Sequence, residues 1–297
     1  MKAPFTYFGG KAKVANLVWG ALGQPRHYIE PFFGSGAVLL NRLGYNPIDY
    51  TETVNDADGI LCNVWRGLQF APDEVAKWCD WPVNHADLSA RRKVILREKA
   101  GLTDRLIADD NYFDAKLAGY WVWAASCWIG SGLTRPNAIP HISDGGKGVQ
   151  DPYNTNIYRW FRQLSERLRY VRVVCGDWTR VCGGNWQDNM GNVGIFFDPP
   201  YAVSDRDDVY DTDDFDVANK VRKWAIERGK LPSYKIVIAG YDEHKEELAN
   251  AGWSMVHWKA NGGYGNLGDK SFRGKKNRFR EILYFSPACN KSELSLL

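Results

Sequence analysis

Short apolar segments recur along the chain with helical patterns between them, and this alternation limits the possible folds more than any other feature. HYIEPF (27–32), DYTETVND (49–56), YVRVVCGD (170–177), NVGIFFD (192–198) and YKIVIAG (234–240) each read as a strand. They are rich in β-branched and aromatic residues, and Gly, Pro, Asn or Asp flanks most of them. AVLLNRL (37–43) reads as the helix after the first, and a helix carrying Ile60, Val64 and Leu68 follows the second. Further helical stretches lie at 213–229 and 243–251. Strands alternating with helices predict an α/β fold with a mainly parallel sheet. Segments near 253–258 and 278–285 lack a long helix between them, which predicts an antiparallel hairpin at the sheet edge.

Residues 81–154 break this rhythm. Helical patterns at 86–99 and 109–128 precede the loop GSGLTRPNAIPHISDGGKGVQDP (130–152), rich in Gly, Pro and Asp. Loops of this length are usually functional or disordered. The segment is expected to be an inserted, mainly helical domain, with 1–80 and 155–297 together forming the other.

Composition narrows the partners. The 297 residues are 44% hydrophobic and 25% charged, as in ordinary globular proteins. A net charge of only +3 rules out a global polycation, so a nucleic-acid site must be a local basic patch. The six cysteines form no C-x-x-C pair, which argues against a metal site or a disulfide framework and for reduced thiols in a cytosolic compartment. With no apolar leader and no apolar run of about 18 residues, a soluble intracellular protein is expected.

Several strand ends carry residues that could do chemistry. In EPFFGSG (30–36), Gly34 and Gly36 follow a strand and would let backbone approach a ligand closely, although a tight turn alone explains them. Asp56, at the end of the second strand, could accept hydrogen bonds from ribose hydroxyls or simply cap the next helix. In FTYFGGKAKVA (5–15) a turn could present Tyr7 and Lys11 to a ligand; taken alone, it reads more simply as a capping turn with a solvated lysine. Asp177 ends another strand. Open α/β sheets bind ligands at the carboxyl ends of their strands. GIFFDPPY (194–201) is the most specific stretch: a buried strand stops at Asp198, then two prolines and Tyr201. Proline explains the stop, but not the carboxylate and ring around it.

YFGGK, EPFFGSGAV, VNDADGILCNVWRGL and FFDPPY occur in that order. The ordered set resembles the DNA adenine N6-methyltransferase (Dam-like) family, over nearly the whole chain apart from 81–154. The resemblance implies a Rossmann-like S-adenosylmethionine methyltransferase fold without a metal. It implies cofactor contacts at Tyr7, Lys11, Phe32, Gly34, Gly36, Asp56 (with Asp58 as its alternative), Asp177 and Asp198. Asp198, Pro199, Pro200 and Tyr201 match the catalytic motif, and 81–154 corresponds to a target-recognition domain.

The motif then has a chemical purpose. An adenine amine is a weak nucleophile because its lone pair is delocalised into the ring. The Asp198 carboxylate and the Pro199 carbonyl could accept its two N–H bonds and localise that lone pair, while Tyr201 stacks on the base. Such a pocket requires the base to flip out of the duplex. For DNA contact, SFRGKKNRFR (271–280) offers Arg273, Lys275, Lys276 and Arg278, and the long loop offers Arg135 and Lys147. RRKVILREK (91–99) reads as a solvated helix face.

The expected activity is methyl transfer to adenine N6 in double-stranded DNA, in the cytoplasm of a bacterial or phage-infected cell. A cognate restriction enzyme would be a partner if the chain belongs to a restriction–modification pair. The competing readings are methylation of cytosine N4 or RNA, and a non-catalytic DNA-binding module of the same fold.

Overall fold

The computed structural model describes residues 1–5, 10–128, 133–135, 137–139, 142, 148–150, 156–184, 188, 190–200, 216–258 and 281–290. Among the described residues, seven strands form one sheet: β1 (His27–Glu30), β2 (Thr51–Asp56), β3 (Val171–Cys175), β4 (Val193–Phe197), β5 (Tyr234–Gly240), β6 (Ser254–His257) and β7 (Ile282–Phe285). Their order is β3-β2-β1-β4-β5-β7-β6.

The sequence alternation thus produces the expected mixed α/β architecture. β4 is buried at every position, and β5 at every position but Lys235. Uninterrupted apolar strands of this kind suit a parallel sheet covered on both faces. β1 pairs in parallel with β2, from His27 opposite Thr51 to Glu30 opposite Val54, and with β4, His27 opposite Val193. β4 continues in parallel to β5, Val193 opposite Tyr234. The carboxyl ends of these four strands therefore share one edge.

The C-terminal pair is antiparallel, as expected. The later strand lies inside: β7 pairs with β5 and leaves β6 outermost. Burial explains the choice, because ILYF in β7 is fully buried whereas SMVH in β6 is only partly covered. The strand that tolerates water takes the edge.

One local expectation fails. AVLLNRL forms only a 3-10 turn at Leu39–Asn41. Arg42 turns to extended backbone and directs its side chain into the interior, 3.2 Å from Glu52, with both side chains fully buried. Its other nitrogen donates to the Pro25 carbonyl at 2.8 Å. A buried ion pair with added hydrogen bonds outweighs the weak helical preference of this seven-residue stretch.

By compactness the chain divides into two units. The first comprises Met1–Gly10, Gly34–Gly36 and Asn55–Arg180. It holds α2 (Gly59–Phe70), α3 (Pro72–Cys79), α4 (His85–Lys99), α5 (Leu102–Ala108), α6 (Ala115–Cys127) and α7 (Ile157–Leu168). Residues 81–154 fall in this unit beside α2, α3 and α7. α3 and α6 touch at Gly119, where a Cβ would come within 2.8 Å of the Val75 carbonyl. Asn63, fully buried on α2, accepts from the Asp114 N–H at 2.7 Å and donates to its carbonyl at 2.9 Å, fixing the start of α6.

The basic helix α4 does not present a uniformly solvated face. Arg91 and Arg92 are 5% and 7% exposed. The Arg91 guanidinium sits 4.4 Å from the ring centres of Tyr120 and Trp123 and 4.7 Å from that of Trp81, and donates to the Trp78 carbonyl at 2.8 Å. A delocalised, weakly hydrated cation tolerates such an aromatic lining.

The second unit comprises Lys11–Phe33, Ala37–Val54 and Val181–Leu297. It carries α1 (Ala15–Leu22), α9 (Val217–Arg228) and α10 (Lys245–Asn250); the single turn α8 (Thr179–Cys182) straddles the division.

Candidate active site

In the first unit, the site is built around a glycine turn. Gly34 and Gly36 have φ of 48° and 65°, left-handed values that strain side chains with a Cβ. The Gly34 N–H donates to Asp56 Oδ2 at 2.9 Å, and the Gly34 carbonyl accepts from Trp65 Nε1 at 3.0 Å. Asp56 Oδ1 accepts from the Asp58 N–H at 2.9 Å. The carboxylate thus joins the turn to the start of α2, with the Ala57 N–H as a further backbone donor to it.

Burial pushes the Asp56 carboxyl up to about 7, against the opposing effect of these N–H bonds. Asp56 does not cap α2. Asp58 does, accepting from the Ile60 N–H at 2.8 Å, because helical geometry starts at Gly59 and an N-cap must stand one residue before it. The two aspartates therefore have separate jobs.

Asp177 belongs to the same unit and follows Gly176, which is held against the end of β2. The Gly176 N–H donates to the Asp56 carbonyl at 2.9 Å, and Asn55 Nδ2 donates to the Gly176 carbonyl at 2.9 Å. The Asp177 side chain is exposed and turns to its own backbone, accepting from the Thr179 N–H at 2.9 Å and from the Thr179 hydroxyl.

In the second unit, β4 ends and Asp198 follows. Its Oδ2 lies 2.9 Å from Lys11 Nζ. Lys11 is not the solvated lysine that its local sequence suggests, being only 4% exposed. The Trp258 ring lies over the ammonium at 5.9 Å, and Asp198 keeps 22% of its side-chain surface exposed. A buried ammonium requires a counter-charge, and Asp198 provides it.

Glu30, at the end of β1, is 2% exposed. Burial raises its carboxyl well above the usual range, and the Asp198 charge raises it further, against hydrogen bonds from the Tyr28 hydroxyl (2.8 Å) and the Leu39 N–H. Pro199 lines a cavity of about 30 Å³ with Arg222, Tyr241, His244 and Tyr284, space for about one water. The Phe32 ring lies 6.3 Å from that of Phe197 on β4.

Arg135 is described, with its carbonyl accepting from Arg92 Nη2. Tyr7, Tyr201, Lys147, Arg273, Lys275, Lys276 and Arg278 lie outside the described residues. Sequence patterns pointed to neither Glu30, Trp65 nor Trp258. Glu30 stands at the head of EPFFGSG, so a carboxylate ending an apolar strand was the available signal. The two tryptophans carry no local mark.

Among the described residues, no group of three or more His, Cys, Asp or Glu is arranged to hold a metal ion. No helix among them is long and apolar enough to cross a membrane.

Residues 7–84 match the D12 class N6 adenine-specific DNA methyltransferase family. That match covers about a quarter of the chain. A DNA N-6-adenine-methyltransferase of Escherichia phage P1 is 25% identical over 203 residues, covering 66% of this chain and 24% of the phage protein. The chain thus spans about a quarter of the length of that relative. The resemblance carried by YFGGK, EPFFGSG and VND falls within the matched segment, which ends before most of the 81–154 region.

Proposed function

We propose that the chain transfers a methyl group from S-adenosylmethionine to N6 of a flipped-out adenine in double-stranded DNA. The observation that carries this reading is the Lys11–Asp198 ion pair at the mouth of β4, directly before two prolines. The similarity of residues 7–84 to adenine-specific DNA methyltransferases supports it.

The residues present fit the cofactor. A left-handed glycine turn, free of Cβ atoms, lets backbone approach the amino-acid part of such a ligand closely, and the Asp56 carboxylate can accept from ribose hydroxyls. Bound there, S-adenosylmethionine supplies an electrophilic methyl group on a positive sulfonium. Lys11 holds the Asp198 carboxylate in one orientation.

Asp198 then accepts one N–H of the adenine amine, and the Pro199 carbonyl accepts the other. Each of Asp198 and Pro199 precedes a proline, which restricts its backbone to extended conformations and fixes where that carbonyl points. Two fixed acceptors favour a tetrahedral nitrogen with a localised lone pair, so catalysis is largely positioning and electrostatic preorganisation. Tyr201 stacks on the base, and Tyr7 and Phe32 complete the cofactor's surroundings. Residues 81–154 with Arg135 and Lys147, and the basic stretch with Arg273, Lys275, Lys276 and Arg278, contact DNA. The enzyme works in the cytoplasm of a bacterial or phage-infected cell, and in a restriction–modification pair it protects sites from its cognate nuclease.

The test is expression in a methylation-deficient host, followed by mass spectrometry of digested DNA. Wild type should yield N6-methyladenine, and Asp198→Ala should lower transfer by at least about 10² to 10³. N4-methylcytosine in place of N6-methyladenine would overturn the substrate, and full activity of Asp198→Ala would overturn the mechanism.

A further inference from the structure

Within the first unit, the glycine turn is held from both sides by groups distant in sequence. The Gly34 N–H belongs to the peptide joining residues 33 and 34, and Asp56 accepts from it at 2.9 Å. The Gly34 carbonyl belongs to the next peptide, and Trp65 Nε1 donates to it at 3.0 Å. Because a trans peptide points its C=O and N–H in opposite directions, each contact fixes one plane and aims its other end away. With its carbonyl drawn to Trp65, the 34–35 peptide directs the Ser35 N–H to the opposite side.

Trp65 is well placed for such a task. It is fully buried on α2, and its ring meets the Phe5 ring at 5.6 Å. Phe5 in turn packs edge-on against Trp121 of α6 at 4.7 Å. The indole cannot easily rotate away from Gly34. Glycine at φ 48° adopts this shape freely but also leaves it freely, since no Cβ restricts the alternatives. The turn gains its definition from its partners.

We propose that Trp65 is a positioning residue for the cofactor: its indole N–H holds the Gly34–Ser35 peptide in the orientation that receives S-adenosylmethionine. Asp56 alone pins only the preceding peptide, so the second plane depends on Trp65. This inference rests on the cofactor reading above, but it makes a separate statement about the turn.

The experiment uses Trp65→Phe in the full chain, which keeps an aromatic ring and removes the N–H. Two measurements are made on wild type and variant: calorimetric titration with S-adenosylhomocysteine, and hydrogen exchange of the 34–36 amides without ligand. Thermal melting records any general loss of stability. The expected result is faster exchange at 34–36, an affinity for S-adenosylhomocysteine lower by about tenfold, and DNA binding in gel shifts within twofold of wild type.

Unchanged affinity, or lowered affinity with unchanged exchange at 34–36, would overturn the proposal. Equal weakening of cofactor and DNA binding would also overturn it, since that is what a general packing defect produces. Phe5→Leu, which loosens the ring packing but keeps the N–H, should weaken cofactor binding less than Trp65→Phe; the reverse order would count against a role for the N–H. If wild type bound no S-adenosylhomocysteine while exchange at 34–36 still rose in Trp65→Phe, the cofactor reading would fall and the hold on the turn would stand.

Discussion

Asp56 and Asp198 are the same residue type at the same kind of place, the carboxyl end of a parallel strand, yet their surroundings give them different properties. In the first unit, Asp56 receives the peptide N–H groups of Gly34, Ala57 and Asp58, and burial raises its carboxyl to about 7. In the second, Asp198 receives a buried ammonium at 2.9 Å. N–H dipoles stabilise a carboxylate less than a full positive charge does, so one becomes a hydrogen-bond hub near its titration point and the other one half of an ion pair. The strand end marks where a site can form. The partner determines whether the carboxylate organises backbone or presents charge.

The largest expected effect lies in the ion pair. Lys11→Met removes the counter-charge from Asp198 and should lower methyl transfer by about 10- to 100-fold. Single-turnover methyl-transfer assays at saturating cofactor are the measurement. Wild-type transfer by Lys11→Met would erase the contrast between the two aspartates.

A smaller effect is expected at Asp56. Its charged form is the better acceptor for ribose hydroxyls, so wild-type affinity for S-adenosylhomocysteine should rise with pH through about 7. Asp56→Asn should bind about tenfold more weakly, without that rise. Stability should move in the opposite direction. The folded pKa is raised from 3.8 to about 7, so the folded state favours the protonated form, and stability falls as pH climbs through that window. Urea titrations at several pH values should show this slope in wild type and its absence in Asp56→Asn. A flat wild-type curve would mean that Asp56 is better hydrated than its surroundings indicate.

The smallest effect sharpens the picture from the side of Glu30. Its carboxyl is also raised, so wild type loses stability as pH rises above the ordinary carboxylate range. Glu30→Gln keeps the shape without the charge. It should melt a few degrees higher than wild type near pH 8, with the advantage shrinking towards pH 5. An advantage independent of pH would assign the gain to packing and remove Glu30 from the electrostatics of Asp198.

Much of the candidate site's local geometry was legible because its signals are local. Gly34 and Gly36 were identifiable because a strand-to-helix turn often needs left-handed backbone, and both adopt it. Asp198 was identifiable because prolines end a strand abruptly and leave the preceding residue at its mouth. Strands β1 to β5 were readable from their apolar runs, and the antiparallel C-terminal pair from the lack of a long helical pattern in the sequence between its segments.

The short α3 and α5 were missed, and so was the strongly amphipathic α7, whose buried face runs through Ile157, Trp160, Phe161, Leu164 and Leu168. Two of the three are only one or two turns long, with little room for a periodic pattern to stand out. The AVLLNRL helix was expected and did not form, because Arg42 finds Glu52 and the Pro25 carbonyl in the interior.

The sequence by itself determined the alternation of strands and helices, the backbone freedom of the glycine turn and the rigid stop after Asp198, since each follows from steric rules acting over a few residues. Only the tertiary structure decided that Lys11 pairs with Asp198, that Trp65 holds Gly34, and that Arg91 lies among aromatic rings rather than in water. It also decided which carboxyls are raised, through burial and neighbouring charge. Those properties depend on groups far apart in the chain, brought together by sheet order and helix packing, and no local pattern encodes which of them will meet.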